Sequence, residues 1–323
     1  MSISETVAMM PSPVVKYGDD RDRPLPELQI LQSATATAEA VVAALVQSGG
    51  CVVKNLIHAD GLAEIEKDTR PYLNAADTWE GSFFPKETRR VTALAEKSTA
   101  FMETIVGNKL YQDLCKIMLR STVSNWLGDE QKISTSYPQV NSTFILSVGP
   151  GARAQGLHRD STMHHMNPTR KTAEEYQIGQ DPEIGIFVCA KRTTKANGAT
   201  RFIPGSHLWD PDTPPTESLT RYVELQPGDA FFMLPSCLHG GSTNTTKDEE
   251  RLLYGAFMTK SYLRQEENQY LTNNHEKLKK LQSTEMLKLL GYDLSRPFLG
   301  WIQSGNPLTA LFEPAEKGKT DYY

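Results

Sequence analysis

His158-Arg159-Asp160 and, much later, His239 in Pro235-Ser-Cys-Leu-His-Gly-Gly241 are the residues of this chain best suited to chemistry. Two imidazoles and one carboxylate can occupy one face of a divalent ion and leave the other positions open for substrate, co-substrate or O2, a composition that suits non-haem Fe(II). In an extended segment residues i and i+2 point to the same side, so His158 and Asp160 can converge while Arg159 faces away. The third ligand must then come from a strand distant in sequence. The pair alone also fits a surface turn in which Asp160 accepts a hydrogen bond from its neighbours, so the surroundings have to decide.

Those surroundings read as a β-core. From about Ser136 to Lys260, strand-like segments at 139–148, 183–190, 200–203, 221–225, 229–234 and 252–259 alternate with glycine and proline turns, which favours a sandwich or barrel. Gln226-Pro-Gly-Asp229 turns into Ala230–Leu234, the strand that delivers His239, and Gly240-Gly241 leave the backbone beside a metal uncrowded. Arg251 heads the next strand, and a guanidinium held in a barrel can bind a carboxylate bidentately. A metal with open positions and a nearby arginine together make a receptor for a small dicarboxylate. Cys237, two positions before His239, reads as a small buried hydrophobe rather than a ligand.

Helices flank this core. Thr37–Gln47 carries apolar residues at helical spacing and is stopped by Ser48-Gly-Gly50; Cys51–Leu56 reads as a strand. Asp60 is expected to cap a second helix through about Leu73, residues 98–127 to be helical again, and the tail from about 267 to 291 to return to helix. Residues 1–30, polar and proline-rich, are expected to form an extended arm, followed by one domain over 31–323.

The 323 residues are 39% hydrophobic and 23% charged with a net charge of −5, an ordinary globular composition that argues against an electrostatic grip on nucleic acid. No apolar run is long enough to span a membrane. Four scattered cysteines without a C-x-x-C pair, and an N-terminus without a basic and an apolar region, lead us to expect a reducing cytoplasmic setting.

Gln155-Gly-Leu-His-Arg-Asp160, Asn197-Gly-Ala-Thr-Arg-Phe-Ile-Pro-Gly-Ser-His207, Gln226-Pro-Gly-Asp229 and His239-Gly with Arg251, in that order, resemble the phytanoyl-CoA dioxygenase family of Fe(II)/2-oxoglutarate-dependent oxygenases. Within it, Phe83-Phe-Pro-Lys-Glu-Thr-Arg-Arg90, His164-His165 and Gly205-Ser-His-Leu-Trp209 are similar to fungal enzymes that oxidise meroterpenoids and alkaloids, a subgroup that often forms homodimers. The resemblance implies a mainly β fold with flanking helices, a double-stranded β-helix or jelly roll of the cupin-like kind. It implies iron held by His158, Asp160 and His239, with 2-oxoglutarate and O2 as co-substrates. By the same resemblance Arg251 meets the distal carboxylate of 2-oxoglutarate, Thr200 and Gln155 help to hold it, and Gln139 and Asn141 line the site. His164, His165, Phe83 and Thr88 are candidate contacts to a small-molecule substrate of the terpenoid or alkaloid class. A carboxylate at position 160 argues for oxygenation or desaturation rather than halogenation. Two other readings remain open: a jelly-roll binding protein without turnover, and a zinc hydrolase on the same barrel, which Arg251 and Thr200 disfavour because hydrolysis needs no dicarboxylate anchor.

Overall fold

Thr37 accepts the Ala40 N–H and so caps helix α1 (Ala38–Ser48), and Gly49, at φ +74°, ends it in the left-handed conformation that glycine adopts without steric cost. The chain then enters β2 (Gly50–Lys54), which pairs in parallel with β1 (Gln29–Gln32) on one edge and antiparallel with β10 (Ala230–Met233) on the other. In this computed structural model residues 18–312 are described, apart from Thr78 and Glu80; most of the expected N-terminal arm thus lies outside the described residues.

The remaining strands are β3 (Thr88–Thr92), β4 (Ser121–Leu127), β5 (Glu130–Ser136), β6 (Pro138–Val148), β7 (Glu183–Cys189), β8 (Thr200–Phe202), β9 (Arg221–Val223), β11 (His239–Gly241) and β12 (Arg251–Lys260). Seven form one sheet in the order β1-β2-β10-β7-β12-β6-β3, and three form a second in the order β11-β8-β9. Side chains alternate across β12. Leu252, Tyr254, Ala256 and Met258 join a core shared with α1, helix α2 (Ala59–Ala75) and the helix Lys109–Leu119. Leu253 and Phe257 face the other way, into a second core with Phe144, Phe187 and Phe231 of the large sheet and Phe202 and Val223 of the small one. The layers are therefore helices, large sheet, small sheet, and the space between the sheets is the only place where residues of β8, β11 and β12 can meet.

One irregularity positions side chains at the site. Phe257 pairs with Ser142 and Met258 with Val140, so Asn141 is an extra residue in β6. A bulge of this kind bends the strand and re-aims the side chains at it. Asn141 is fully buried and uses its carboxamide twice: Nδ2 donates to Glu183 Oε2 at 2.8 Å, and Oδ1 accepts the Glu266 N–H at 2.7 Å.

Three expected elements differ. Asp60 lies in the first turn of α2, whose N-cap is His58. Residues 121–127, expected to continue a helix, form β4 and pair with β5 through a two-residue Gly128-Asp129 turn with Gly128 at φ +63°. The tail is not one helix but three short ones, Gln269–Thr272, His275–Leu281 and Thr284–Leu289. Asn268, Asn274 and Ser283 each cap a new start by accepting a backbone N–H, which divides the run.

His207 couples the fold to pH. Its imidazole is 1% exposed, Nε2–H donates to the Val46 carbonyl at 3.1 Å, and Nδ1 is buried without a partner. Burial pushes its pKa down from 6.5 to about 4. The folded value lies below the unfolded one, so between these limits the unfolded chain binds more protons. Stability is complete above about pH 6.5 and falls as the pH drops toward 4, by on the order of 3 kcal/mol. Urea midpoints measured from pH 7 to pH 4 should fall in the wild-type chain, and His207→Gln, whose amide can keep the bond to Val46, should flatten that slope.

Candidate metal and co-substrate site

His158 and His239 are opposed residues of two segments that exchange both backbone hydrogen bonds, each N–H donating to the other's carbonyl at 2.9 Å. This bridge continues the small sheet beyond β11, which pairs on its other side with β8. Asp160 follows two residues on. It opens a short 3-10 helix (Asp160–His164) instead of continuing a strand, and its N–H donates to the Pro235 carbonyl at 2.9 Å. Arg159 faces away, as expected, and donates to the Ser236 and Ser206 carbonyls at 2.9 and 3.0 Å. The His-Arg-Asp segment is thus fastened to the chain on both sides of the 235–239 loop.

One ligand atom from each of His158, Asp160 and His239 lies within 4.8 Å of the others. Asp160 stands between the imidazoles, with Oδ1 at 3.4 Å from His158 Nε2 and Oδ2 at 3.2 Å from His239 Nε2. Each Nδ1 faces a backbone carbonyl, that of Gly156 at 2.7 Å and that of Cys237 at 3.0 Å. A carbonyl can only accept, so both Nδ1 atoms carry hydrogen, and both Nε2 atoms, the nitrogens left to ligate a metal, point toward the carboxylate. Metal-binding histidines are ordinarily held in this tautomer and orientation by their outer contacts. Burial pushes the Asp160 carboxyl up, but the two imidazoles outweigh it and hold the group well below the usual carboxylate range. Burial likewise pushes His158 down while Asp160 raises it, with a net rise. The donor set fits a divalent metal: three converging donors, fixed tautomers, and an anionic carboxylate.

The triad lines a cavity of about 110 Å3 with Gln155, Thr200, Gly241 and Arg251. Arg251 is 3% exposed, its Nη2 donates to Thr200 Oγ1 at 2.7 Å, and its Nε is buried without a partner. No carboxylate pairs with it among the described residues, and burial lowers its pKa to about 10. A buried cation without a counter-ion is expensive unless an anion arrives. Gln155 Oε1 accepts the Gly241 N–H at 2.8 Å. A Cβ at Gly241 would sit 3.0 Å from that oxygen and 3.8 Å from Arg251 Nη1, so glycine keeps this end of the cavity open. Arg201, 3% exposed, braces the same place by donating to the Gln155 carbonyl at 2.7 Å and to the Gly241 carbonyl.

Other expected residues fall elsewhere. Gln139 donates to the Leu263 carbonyl and lines a different cavity of about 790 Å3 beside the helix Lys109–Leu119. Asn141 stands behind the wall, holding Glu183 and Glu266. His164 turns toward the large sheet, with Nε2 at 3.1 Å from the Arg264 carbonyl and Nδ1 at 3.8 Å from Glu183 Oε1, and His165 is exposed at φ +54°. Neither lines the cavity; Met163, from the same turn, does. Thr88 is buried on β3 against Val148, with its hydroxyl unpartnered and outside the cavity wall. Phe83 does line it, with its ring 5.2 Å from that of His158. Cys237 is buried with its thiol against the Ile203 carbonyl, apart from the triad.

Sequence reading missed Arg90 and Glu266, both in the cavity wall. Arg89-Arg90 reads as solvated charge, yet on β3 Arg89 is exposed while Arg90 pairs with Leu146 and faces the cavity. Period-two alternation from Thr88 to Thr92 is the signal that could have shown it.

Two facing sheets with a histidine-carboxylate-histidine set and a buried arginine between them define a jelly-roll metal-dependent oxygenase. The epimerase SnoN in complex with Fe3+, alpha ketoglutarate and nogalamycin RO shares the fold, with a TM-score of 0.51 at 19% identity, over 73% of this chain and 90% of its own. The model of the phytanoyl-CoA dioxygenase family matches residues 45–252. The chain is 42% identical over 289 residues to dioxygenase himG of Aspergillus japonicus, covering 87% of this chain and 89% of that one. It is 37% identical over 318 residues to dioxygenase cnsJ of Penicillium expansum, covering 96% and 94%. The chain belongs to the phytanoyl-CoA dioxygenase family and is an Fe(II)/2-oxoglutarate-dependent dioxygenase. No helix among the described residues is long and apolar enough to cross a membrane.

Arg159→Ala should weaken metal binding about ten- to a hundredfold, the usual consequence of losing an outer contact that aims a ligand. Calorimetric titration of the metal-free chain with Co(II) measures it, and an unchanged affinity would show that Arg159 does not hold the ligand segment in place.

Proposed function

We propose that His158, Asp160 and His239 hold the ferrous ion, that Arg251 takes the distal carboxylate of 2-oxoglutarate with help from Thr200 and Gln155, and that the chain oxidises a C–H bond of a polycyclic secondary metabolite. The observation that carries this reading is one cavity in which a converging metal-donor set and a buried, uncompensated guanidinium both present themselves. Iron and 2-oxoglutarate, when bound, supply a two-electron oxidation that consumes O2 and releases succinate and CO2.

The protein's own part is placement and exclusion of water. Arg251 and Thr200 fix one end of the co-substrate: the guanidinium offers donors in a planar fork, and the Thr200 hydroxyl, which accepts from Arg251, keeps its own hydrogen for a ligand oxygen. Gln155 gives its oxygen to Gly241, and no described residue accepts from its amide nitrogen, which can therefore donate to a ligand. Phe144, Leu146, Phe187, Leu253 and Phe257 make the cavity floor apolar, which strengthens the electrostatic contacts inside it. Phe83, 49% exposed, stands at the mouth against His158. The cavity of about 110 Å3 is well below the roughly 300–1,000 Å3 of most ligand sites, so we place the opening for a polycyclic substrate on the Phe83 side. The identities to fungal dioxygenases support the oxidation, and the resemblance of Phe83–Arg90 and Gly205–Trp209 to fungal enzymes of meroterpenoids and alkaloids supports a secondary-metabolite substrate.

Succinate release with Fe(II), ascorbate, 2-oxoglutarate and a panel of terpenoid and alkaloid substrates under air tests the assignment. His239→Ala should abolish turnover. Arg251→Ala should raise the 2-oxoglutarate requirement about a hundredfold, the worth of a charge-assisted pair; an unchanged requirement would remove its role. A chain that binds these substrates but forms no succinate with any of them would be a binding protein, not an enzyme.

A further inference from the structure

Arg90 and Glu266 are charged residues in the wall of the cavity that the mechanism above leaves unused. They bear opposite charges, yet they make no ion pair with one another, nor with any other described residue. Arg90 lies over the Phe84 ring at 4.3 Å and near the Trp79 ring at 5.9 Å, its Nε is buried without an acceptor, and no guanidinium nitrogen donates a hydrogen bond among the described residues. Glu266 receives the Ser142 hydroxyl on Oε2 at 2.7 Å, while Oε1 accepts nothing among the described residues. Both groups are held in place. Arg90 is fixed by the register of β3 against β6 and by the aromatic pair beneath it. Glu266 is fixed by Ser142 and by the Asn141 bulge, which takes its backbone N–H at 2.7 Å. Its neighbour Glu267 is fully engaged, accepting from Ala93, Thr143 and Gln269, which shows that this turn can satisfy a carboxylate when it needs to.

A half-buried guanidinium and an exposed carboxylate that line one cavity without an ion pair leave a donor and an acceptor to be met by whatever enters. A free carboxylate would suit Arg90 and be repelled by Glu266; an ammonium would suit Glu266 and be repelled by Arg90. A neutral group with an acceptor and a donor side by side suits both. We propose that Arg90 and Glu266 form the polar subsite that recognises a secondary amide of lactam type in the substrate, Arg90 donating to the carbonyl and Glu266 accepting from the N–H. This specifies the substrate class for the site described under Proposed function and rests on that reading. Phe83 and Met163, both exposed and both lining the cavity, take the rest of the ring system.

The test uses the full chain loaded with Fe(II) and 2-oxoglutarate under nitrogen. Three tricyclic probes are titrated calorimetrically: phenanthridin-6(5H)-one, its N-methyl derivative and phenanthrene-9-carboxylate. The wild-type chain should bind the lactam at least about tenfold more tightly than either other probe, since a hydrogen bond to a charged group is at stake. Glu266→Met should bring the ratio of lactam to N-methyl lactam close to one. Arg90→Met should weaken both about tenfold and leave their ratio intact. A wild-type ratio near one, a preference for the carboxylate, binding of none of the probes, or a ratio that survives Glu266→Met overturns the proposal. Should Glu266→Met fail to fold, the wild-type ratio and the Arg90→Met pattern decide. Titration of the iron-loaded wild-type chain with 2-oxoglutarate alone separates the two readings: binding there with no lactam preference sinks only the subsite, and no binding sinks the co-substrate assignment.

Discussion

The backbone bridge between His158 and His239 is the constraint on which the site depends. Two hydrogen bonds of 2.9 Å tie segments that lie far apart in the sequence, and they do so at the two residues whose imidazoles must converge. Because the bonds run in the backbone, the side chains are left free for chemistry. The carbonyls of Gly156 and Cys237, each two residues before its histidine, then fix both tautomers. Arg159 and the Asp160 N–H fasten the same segment to the 235–239 loop. Ligand geometry is thereby set by main-chain hydrogen bonding, which costs little once the small sheet has formed.

A second constraint is the buried charge on Arg251. Among the described residues its side chain hydrogen-bonds only the Thr200 hydroxyl, and burial has already lowered its pKa to about 10. Folding leaves this cation short of compensation, in a position that Gly241 keeps open and Arg201 braces from behind. Such local cost is characteristic of sites built to receive a ligand. Arg90, half-buried, and Glu266, exposed, line the same cavity without an ion pair among the described residues. The converging donor set, the Arg251 guanidinium and the Arg90 and Glu266 side chains thus all line one cavity, beside an aromatic core shared by the two sheets.

Much of this was legible in the sequence because it follows period-two spacing and turn chemistry. Thr37 and Gly49 bound α1 as their types require, and the β6, β7, β10 and β12 strands fall within a residue or two of their apolar alternation. His158, Asp160, His239, Arg251, Thr200 and Gln155 gather in one cavity, as the motif order implies. The failures have physical causes. Ser121–Leu127 follows an apolar helical run directly, and only the Gly128-Asp129 hairpin turn marks the change of period. Sequence proximity to a ligand placed His164 and His165 near the cavity, but a 3-10 turn rotates them away and presents Met163. Gln139 lies beyond the Asn141 bulge, where the strand has been re-aimed toward another cavity. A bulge leaves no signature in composition, so neither Gln139's placement nor the positioning of Glu266 could be read from spacing alone.

The most direct measurement is anomalous diffraction at the iron edge from crystals of the chain soaked with Fe(II) and 2-oxoglutarate without oxygen. The account predicts a single strong iron peak bound by His158, Asp160 and His239, and a dicarboxylate that joins that ion to the Arg251 guanidinium. Iron bound elsewhere, or a dicarboxylate that leaves Arg251 unpaired, would contradict it.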